Sequence, residues 1–269
     1  MYAGDREIAV TILRFIQSQG AKPFALVVPE NGSHSEQLIA LADHLPSDRI
    51  WRGNQFLEQR NVALMREEAP HYLFGIHFPL IIPEQILGLP ELGVLNLHPA
   101  FLPYNRGWHN SAWALLDDTP YGGTLHFMNQ GVDTGDIIHQ KKVQPAPNDT
   151  GNSLYAKALQ AEVDAFIEAW PMLLTGAPPR RAQDASAGTS HRKKDLAESG
   201  IQRIDLDTPV PPRELLRKLR ALTTSAPHEA AFFEDGGVRY RVRVTIDREP
   251  VPAPPSRAAE TVPATVGAR

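Results

Sequence analysis

The stretch Leu95-Asn96-Leu97-His98-Pro99-Ala100, continuing as FLPYNRGWHNSAWALLDDTPYGGTLHFMNQGVDTGDIIHQ to Gln140, decides how this chain is read. Gly93, Val94 and Leu95 lead into it as a short apolar run, the pattern of a strand covered on both faces. Side chains alternate along a strand, so Asn96 and His98 leave it on the same face, at its carboxyl end. Asp133 follows in a Gly-flanked turn after a second strand-like stretch. An amide and an imidazole can hold a developing oxyanion, and a carboxylate can orient and charge the imidazole. Each piece also has a plain structural reading: Asn-x-His-Pro can end a strand by bonding loop backbone, and Asp-Thr-Gly-Asp can be an Asx turn. The order amide, imidazole, carboxylate is what points to acyl transfer.

Outward from this segment the elements alternate. Arg6 to Gln19 has helical spacing (Ile8, Ile12, Phe15, Ile16), Pro23 to Val28 reads as a strand, Glu36 to Leu45 as a helix and Arg49 to Trp51 as a short strand. Gln55 to Glu68 reads as a helix, Tyr72 to Ile76 as a buried strand, and Pro83 opens another helix. Such alternation predicts an α/β fold with a doubly wound, mostly parallel sheet, whose ligands bind outside the carboxyl ends of the strands. The first strand has to lie in Met1 to Ala3, which leaves either a short strand or a start placed too late. Asp5 and Arg6 open the following helix, where free backbone N–H groups suit an anion. A single Gly at that turn is also an ordinary turn residue.

Composition bounds the rest. The chain has 269 residues, 42% of them hydrophobic, enough for one α/β domain with a smaller appendage. No apolar run is long enough to span a membrane and the start lacks a basic-then-apolar signal, so a cytoplasmic protein is expected. With no cysteine, disulfides, thiolate metal sites and thiol nucleophiles are excluded. A net charge of −4 gives no general attraction to nucleic acid. His98, His109, His126 and His139 are numerous, but none falls in a compact metal-ligand spacing, and no metal is expected. His77 reads as a packing or hydrogen-bonding loop residue.

Towards the C-terminus, Ser153 to Leu174 carries an apolar stripe (Tyr155, Leu159, Val163, Phe166, Trp170) that reads as core packing. A polar stretch from Gly176 to Gly188 runs into the basic cluster Gly188 to Lys194. Pro211 to Leu222 reads as a helix with Leu215, Leu216 and Leu219 on one side. Ala230 to Glu234 and Val238 to Ile246 read as a hairpin about Asp235-Gly236-Gly237. Tyr240, Val242, Val244 and Ile246 give the hairpin an apolar face that it cannot bury alone, which predicts docking on the main domain or on a second copy. From Arg248 onward Pro, Ala and charged residues predict a disordered tail.

The residues NLHPAFLPYNRG followed by GVDTGDII resemble the signature of the folate-dependent formyltransferases, which include the glycinamide ribonucleotide and methionyl-tRNA enzymes. The resemblance runs from about Gly4 to Ile246. It implies a Rossmann-like catalytic domain over 1–180, a linker over 181–200, a small helix-plus-hairpin unit over 201–247 and the tail over 248–269. It also implies that Asn96, His98 and Asp133 are the catalytic trio, with Asp136 a second, non-catalytic carboxylate. The co-substrate implied is 10-formyltetrahydrofolate, its pterin covered by Phe78, Leu80 and Ile81 and faced by Asn129 and Gly131. The run from Leu102 to Asn110 is most similar to sugar N-formyltransferases acting on nucleotide-linked amino dideoxyhexoses, and a dTDP-linked sugar is expected. On that resemblance Tyr104, Asn105, Arg106 and Trp108, with Asp5 and Arg6, are expected to bind the acceptor. Arg106 would pair with a phosphate or carboxylate, while Asn105 and Trp108 would bond and stack on the pyranose. Trp108 and Trp113 can instead face the core, the expectation for Trp113. Ser190 departs from the aromatic of the family's Gly-Thr-Tyr-His stretch, and the C-terminal unit resembles a homodimer contact. Another amine acceptor, or a non-catalytic folate-binding homologue, are the alternative readings.

Overall fold

A computed structural model describes residues 1–184 and 186–250, so the stretch 251–269 of the expected tail lies outside the described residues. Strands β1 (Tyr2–Gly4), β2 (Leu26–Val28), β3 (Ile50–Arg52), β4 (Tyr72–Ile76), β5 (Gly93–His98), β7 (Tyr121–Phe127) and β8 (Ile137–Val143) form one sheet in the order β3-β2-β1-β4-β5-β7-β8. The first five are parallel; β7 and β8 add antiparallel. Helices α1 (Arg6–Ser18), α2 (Ser35–Leu41), α3 (Gln59–Glu68) and α4 (Glu84–Leu87) connect the parallel strands. A short β6 (Arg106–Gly107) and α5 (Asn110–Leu116) lie between β5 and β7, and the long α6 (Gly151–Leu174) follows β8. This is the predicted α/β, doubly wound architecture, and its winding reverses between β1 and β4, where open sheets leave a ligand crevice.

Alternation along the strands sorts the core into two layers. Tyr2, Leu26, Phe74, Leu95 and Leu97 face α1 and α6, where Phe15, Phe74, Phe166 and Trp170 pack edge-on or tilted. Ala3, Val27, Leu73 and Val94 face the other way, onto Trp51, Phe56, Met65 and Ile86. Asn96 and His98 continue the Val94 face past the end of that second layer.

Several boundaries differ from expectation for local reasons. The helix expected over 55–68 is a 3₁₀ turn (Gly53–Leu57) followed by α3, broken at Glu58, whose ψ of 140° is extended. Asn61 closes the break by donating its side-chain N–H to the Gln55 carbonyl at 2.8 Å. Strand β2 starts at Leu26 rather than Pro23, because proline supplies no ladder N–H. Helix α6 starts two residues early: Thr150 and Ser153 form a reciprocal capping box. Its alanines (Ala158, Ala161, Ala165, Ala169) are buried and let it lie close to β7. A Cβ on Gly123 would meet the Glu162 backbone nitrogen at 2.5 Å. Tyr155, expected in the core stripe, instead lines a cavity.

The C-terminal unit holds α7 (Asp195–Glu198), α8 (Pro212–Ala221) and the hairpin β10 (Ala231–Asp235) with β11 (Val238–Val242); β9 (Ser190–His191) pairs with β6. Gly236 and Gly237 both have positive φ (55° and 78°), as a two-residue hairpin turn requires. Regular pairing ends at Val242, short of the expected Ile246. The unit docks through Leu196, Leu222 and Ala231 packed with Trp113, Ile201, Ile204 and Leu219. Arg220 ties it to the main domain by donating to the Asp149 and Ala146 carbonyls at 2.7 Å each. Val238 and Tyr240, at 50% and 47% exposure, leave the apolar face of the hairpin uncovered among the described residues.

Candidate active site

Cross-strand register assembles the polar centre. Asn96 and His98 on β5 stand opposite His126 and Thr124 on β7, so four polar side chains share one patch of an otherwise apolar sheet. Thr124 anchors the chain leaving β5: its hydroxyl donates to the Ala100 carbonyl at 2.6 Å and accepts the Leu102 N–H at 3.2 Å.

His98 is buried with an oxygen acceptor at each ring nitrogen. Nε2 lies 3.0 Å from the Asn105 carbonyl, and Nδ1 lies 3.4 Å from Asp133 Oδ2. Asn110 Nδ2 also lies 3.2 Å from Nε2, but its two hydrogens are taken by the carbonyls of Asn105 (2.6 Å) and Gly107 (3.0 Å). The ring can therefore donate from both sides, an arrangement that suits an imidazolium. Asp133 sits at φ 53° and accepts the Gly107 N–H at 2.9 Å. Burial pushes its carboxyl pKa up, but the neighbouring His98 and His126 rings, the Gly107 N–H and Arg106 bring it below the ordinary value, so it is ionised at neutral pH.

In the sequence His126 stands out only as one of several histidines without a metal-ligand spacing. Burial lowers its pKa, with further lowering from His98 against an opposing effect of Asp133. As a neutral ring it donates Nδ1–H to the Phe127 carbonyl at 2.7 Å, which leaves Nε2 to accept from Asn96 Nδ2 at 3.3 Å. That bond fixes which way the Asn96 amide faces. Period-two alternation of Thr124 and His126 was the signal available in the sequence; pairing opposite Asn96 was not.

Beside the trio opens a cavity of about 450 Å³ lined by Asn96, His98, Asn110, Trp108, Arg6 and Tyr155, among others. His77 lines it too, at φ 48°, and is buried against Glu162 at 2.9 Å, a hydrogen-bonding residue as expected. Arg6 (φ 67°) donates to the Tyr155 hydroxyl at 3.1 Å. Lys193 brings a second cation, its ammonium 5.1 Å from the ring of Trp108, which is 50% exposed. Among the described residues neither Arg6 nor Lys193 has a carboxylate within ion-pair distance.

Other expected binding residues are placed differently. Asn105 is fully buried at φ 56° and donates from its amide to Thr119, while Arg106 is buried and donates from Nε and Nη2 to Gln183. Both shape the loop instead of reaching into the cavity. Tyr104 is half-buried and outside the cavity lining. Asp5 accepts from His34 N and Ser33 Oγ, holding the loop after β2. Phe78 lines the cavity; Leu80 packs against the second core layer, and Ile81 is 87% exposed outside the cavity lining. Asn129 closes its own loop by accepting from Gly131 N and Thr134 Oγ1. Trp113 is partly buried, as expected, and stacks on His191 at 4.2 Å.

The stretch expected as a linker takes part in the site. Gln183 donates to the Asp133 and Gly135 carbonyls (2.9 and 2.7 Å), Thr189 accepts the N–H groups of Asn105 and Arg106, and β9 pairs with β6. Ser190 lies in β9 and is exposed. Among the described residues no group of three or more His, Asp or Glu is arranged to hold a metal, and no helix is long and apolar enough to cross a membrane.

A doubly wound sheet whose last parallel strand delivers an amide and an imidazole to a carboxylate on a neighbouring loop defines an α/β protein with the functional groups that acyl-group chemistry needs. The chain belongs to the formyl transferase family: that family's model matches residues 6–170, and the model of the N-formyltransferase dimerization C-terminal domain matches 195–248. A dTDP-4-amino-4,6-dideoxyglucose formyltransferase of Mycobacterium tuberculosis is 30% identical over 155 residues, a match covering 58% of this chain and 65% of that protein. The chain thus spans just under two thirds of the length of this curated relative. A 4-N formyltransferase from Francisella tularensis shares the fold at TM-score 0.73 and 24% identity, covering 92% of this chain and 97% of that one. So does an N-formyltransferase from Helicobacter canadensis, solved with folinic acid and dTDP-3-aminofucose, at TM-score 0.62 and 20% identity over 88% and 83% of the two chains.

Proposed function

We propose that this protein transfers the formyl group of 10-formyltetrahydrofolate to the primary amine of a nucleotide-linked amino sugar, of the dTDP-amino-dideoxyhexose type. The observation that carries this reading is the convergence of Asn96, His98 and ionised Asp133 beside a cavity flanked by two unpaired cations. The substrates and ligands of the relatives support the same class. The neutral acceptor amine attacks the formyl carbon, forming the new C–N bond as the carbonyl becomes an oxyanion. Asn96 Nδ2–H donates to that oxygen while protonated His98 supplies charge beside it. Collapse breaks the bond to N10 of the folate, and the proton lost by the amine passes through the His98–Asp133 pair to N10. Phe78, packed at its base on the second core layer, and the exposed Ile81 and Val132 supply apolar surface for the pterin. Arg6 and Lys193 are suited to the nucleotide's phosphates, and Trp108 to stacking on the sugar or base. The half-exposed Val238–Tyr240 face, within the segment matched by the dimerization domain, supports a homodimer.

Incubating the protein with 10-formyltetrahydrofolate and a panel of amines, while following release of tetrahydrofolate, tests the reading. Turnover with dTDP-amino sugars is expected. Turnover only with an amino acid or with initiator tRNA overturns the sugar assignment, and folate binding without turnover on any amine overturns catalysis.

A further inference from the structure

The bonds that shape the loop from Asn105 to Asn110 converge on the trio. The Asn105 carbonyl faces His98, the Gly107 N–H donates to Asp133, and Asn110 bonds both loop carbonyls. Asn105 and His109 hold left-handed φ of 56° and 57°, conformations that persist for such residues only where their surroundings over-determine them. At the Asn105 end those surroundings are Thr119 and Thr189. At the other end His109 is clamped twice: Nε2–H donates to the Lys193 carbonyl at 3.0 Å, and Nδ1 lies 3.3 Å from Glu229 Oε1.

Glu229 comes from the C-terminal unit, between α8 and β10, and its other oxygen accepts from Thr224 Oγ1 at 2.6 Å. Both partners are largely buried, at 12% and 18% side-chain exposure. The bond to Glu229 raises the pKa of His109 more than burial lowers it. Burial raises that of Glu229, but its bonds to His109 and Thr224 bring it down overall. The two therefore favour the charged pair.

We propose that Glu229 is a positioning residue of the active site: by clamping His109 it holds the 105–110 loop, and through that loop His98 and Asp133, in the reactive arrangement. Docking of the C-terminal unit then completes a site whose chemistry lies wholly in the main domain. The proposal rests on the formyl-transfer reading above.

The test compares Glu229→Gln, His109→Asn and the double variant, Asn being chosen because it accepts a left-handed φ. Thermal unfolding checks that each folds. Each single variant is expected to lower kcat about tenfold or more, since small misplacements of reacting groups are costly, with the acceptor KM changed by less than about threefold. The double variant should be no slower than the worse single, because both break one contact. The ¹⁵N resonances of the His98 ring should shift in each variant without substrate present. Wild-type kcat in both singles, losses that multiply in the double, or a loss confined to acceptor KM would overturn the proposal; the last makes Glu229 a substrate contact. If Glu229→Gln does not fold, unchanged His98 resonances in His109→Asn overturn it. Failure of the wild type to turn over any amine strikes the formyl-transfer reading, whereas the His98 resonances judge the clamp separately.

Discussion

The two walls of the cavity are built differently. On the proposed catalytic wall His98, His126, Asn110 and Asp133 are buried or nearly so, and each is tied to a partner on another segment: Asn105, Asn96, Gly107 and again Gly107. The rest of the lining presents Arg6, Trp108 and Lys193, exposed and, among the described residues, with no carboxylate paired to either cation. Burial and mutual bonding preorganise groups for a transition state, where small displacements are costly. Exposed, loosely held cations suit recognition of an anionic ligand that arrives with its own geometry. The difference teaches that buried, mutually bonded groups and exposed cations occupy separate parts of the site, as the proposed division between reaction and acceptor requires, and it can be attacked from both sides.

The largest effects should come from the catalytic wall. Replacing Asn96 with Ala removes one oxyanion donor and is expected to lower kcat by about a hundredfold or more, on the order of 3 kcal/mol of barrier, with the protein folded. Equal activity of variant and wild type would break the assignment. Next is the buried Glu162–His77 pair behind the other wall. Glu162→Ala leaves the buried His77 ring nitrogen without its hydrogen-bond partner and should cost about 1–3 kcal/mol of stability in denaturant titration; no measurable loss would mean the pair is dispensable.

Smaller effects belong to the recognition wall. Lys193→Ala should raise the KM of a nucleotide-sugar acceptor by about tenfold, the value of one charge-assisted contact, with kcat little changed. Smallest is a pH effect at His126. Its folded pKa is lowered from 6.5, so the unfolded chain takes up the proton first as pH falls below 6.5. Stability is therefore full above 6.5 and declines as the pH drops through the interval down to the folded value. Thermal unfolding of His126→Asn across the same range should show a shallower decline, and an unchanged slope would place the titration elsewhere.

Much of this molecule could be read in advance where one strong local pattern governs. The apolar run Tyr72 to Ile76 is buried throughout, and its strand bounds match the reading. The Asn96-x-His98 spacing works because strand periodicity alone puts both side chains on one face. Asn105 and Arg106 show where that logic stops. A loop residue has no period to reveal its direction, and a left-handed turn at Asn105 aims its side chain inward, with Arg106 following it onto Gln183. His126, Asn110, Gln183 and Glu229 act through contacts between distant segments, which register and docking create and local sequence does not encode. Helix 55–68 failed for the opposite reason: Asn61 and Gln55 bond backbone locally and outcompete the helix ladder.

The most direct test of the separation between the two walls is a steady-state comparison of Asn96→Ala and Lys193→Ala on one dTDP-amino sugar with saturating 10-formyltetrahydrofolate. The account predicts that the first loses its activity in kcat and the second in acceptor KM. Loss of kcat in Lys193→Ala together with a normal kcat in Asn96→Ala would contradict it.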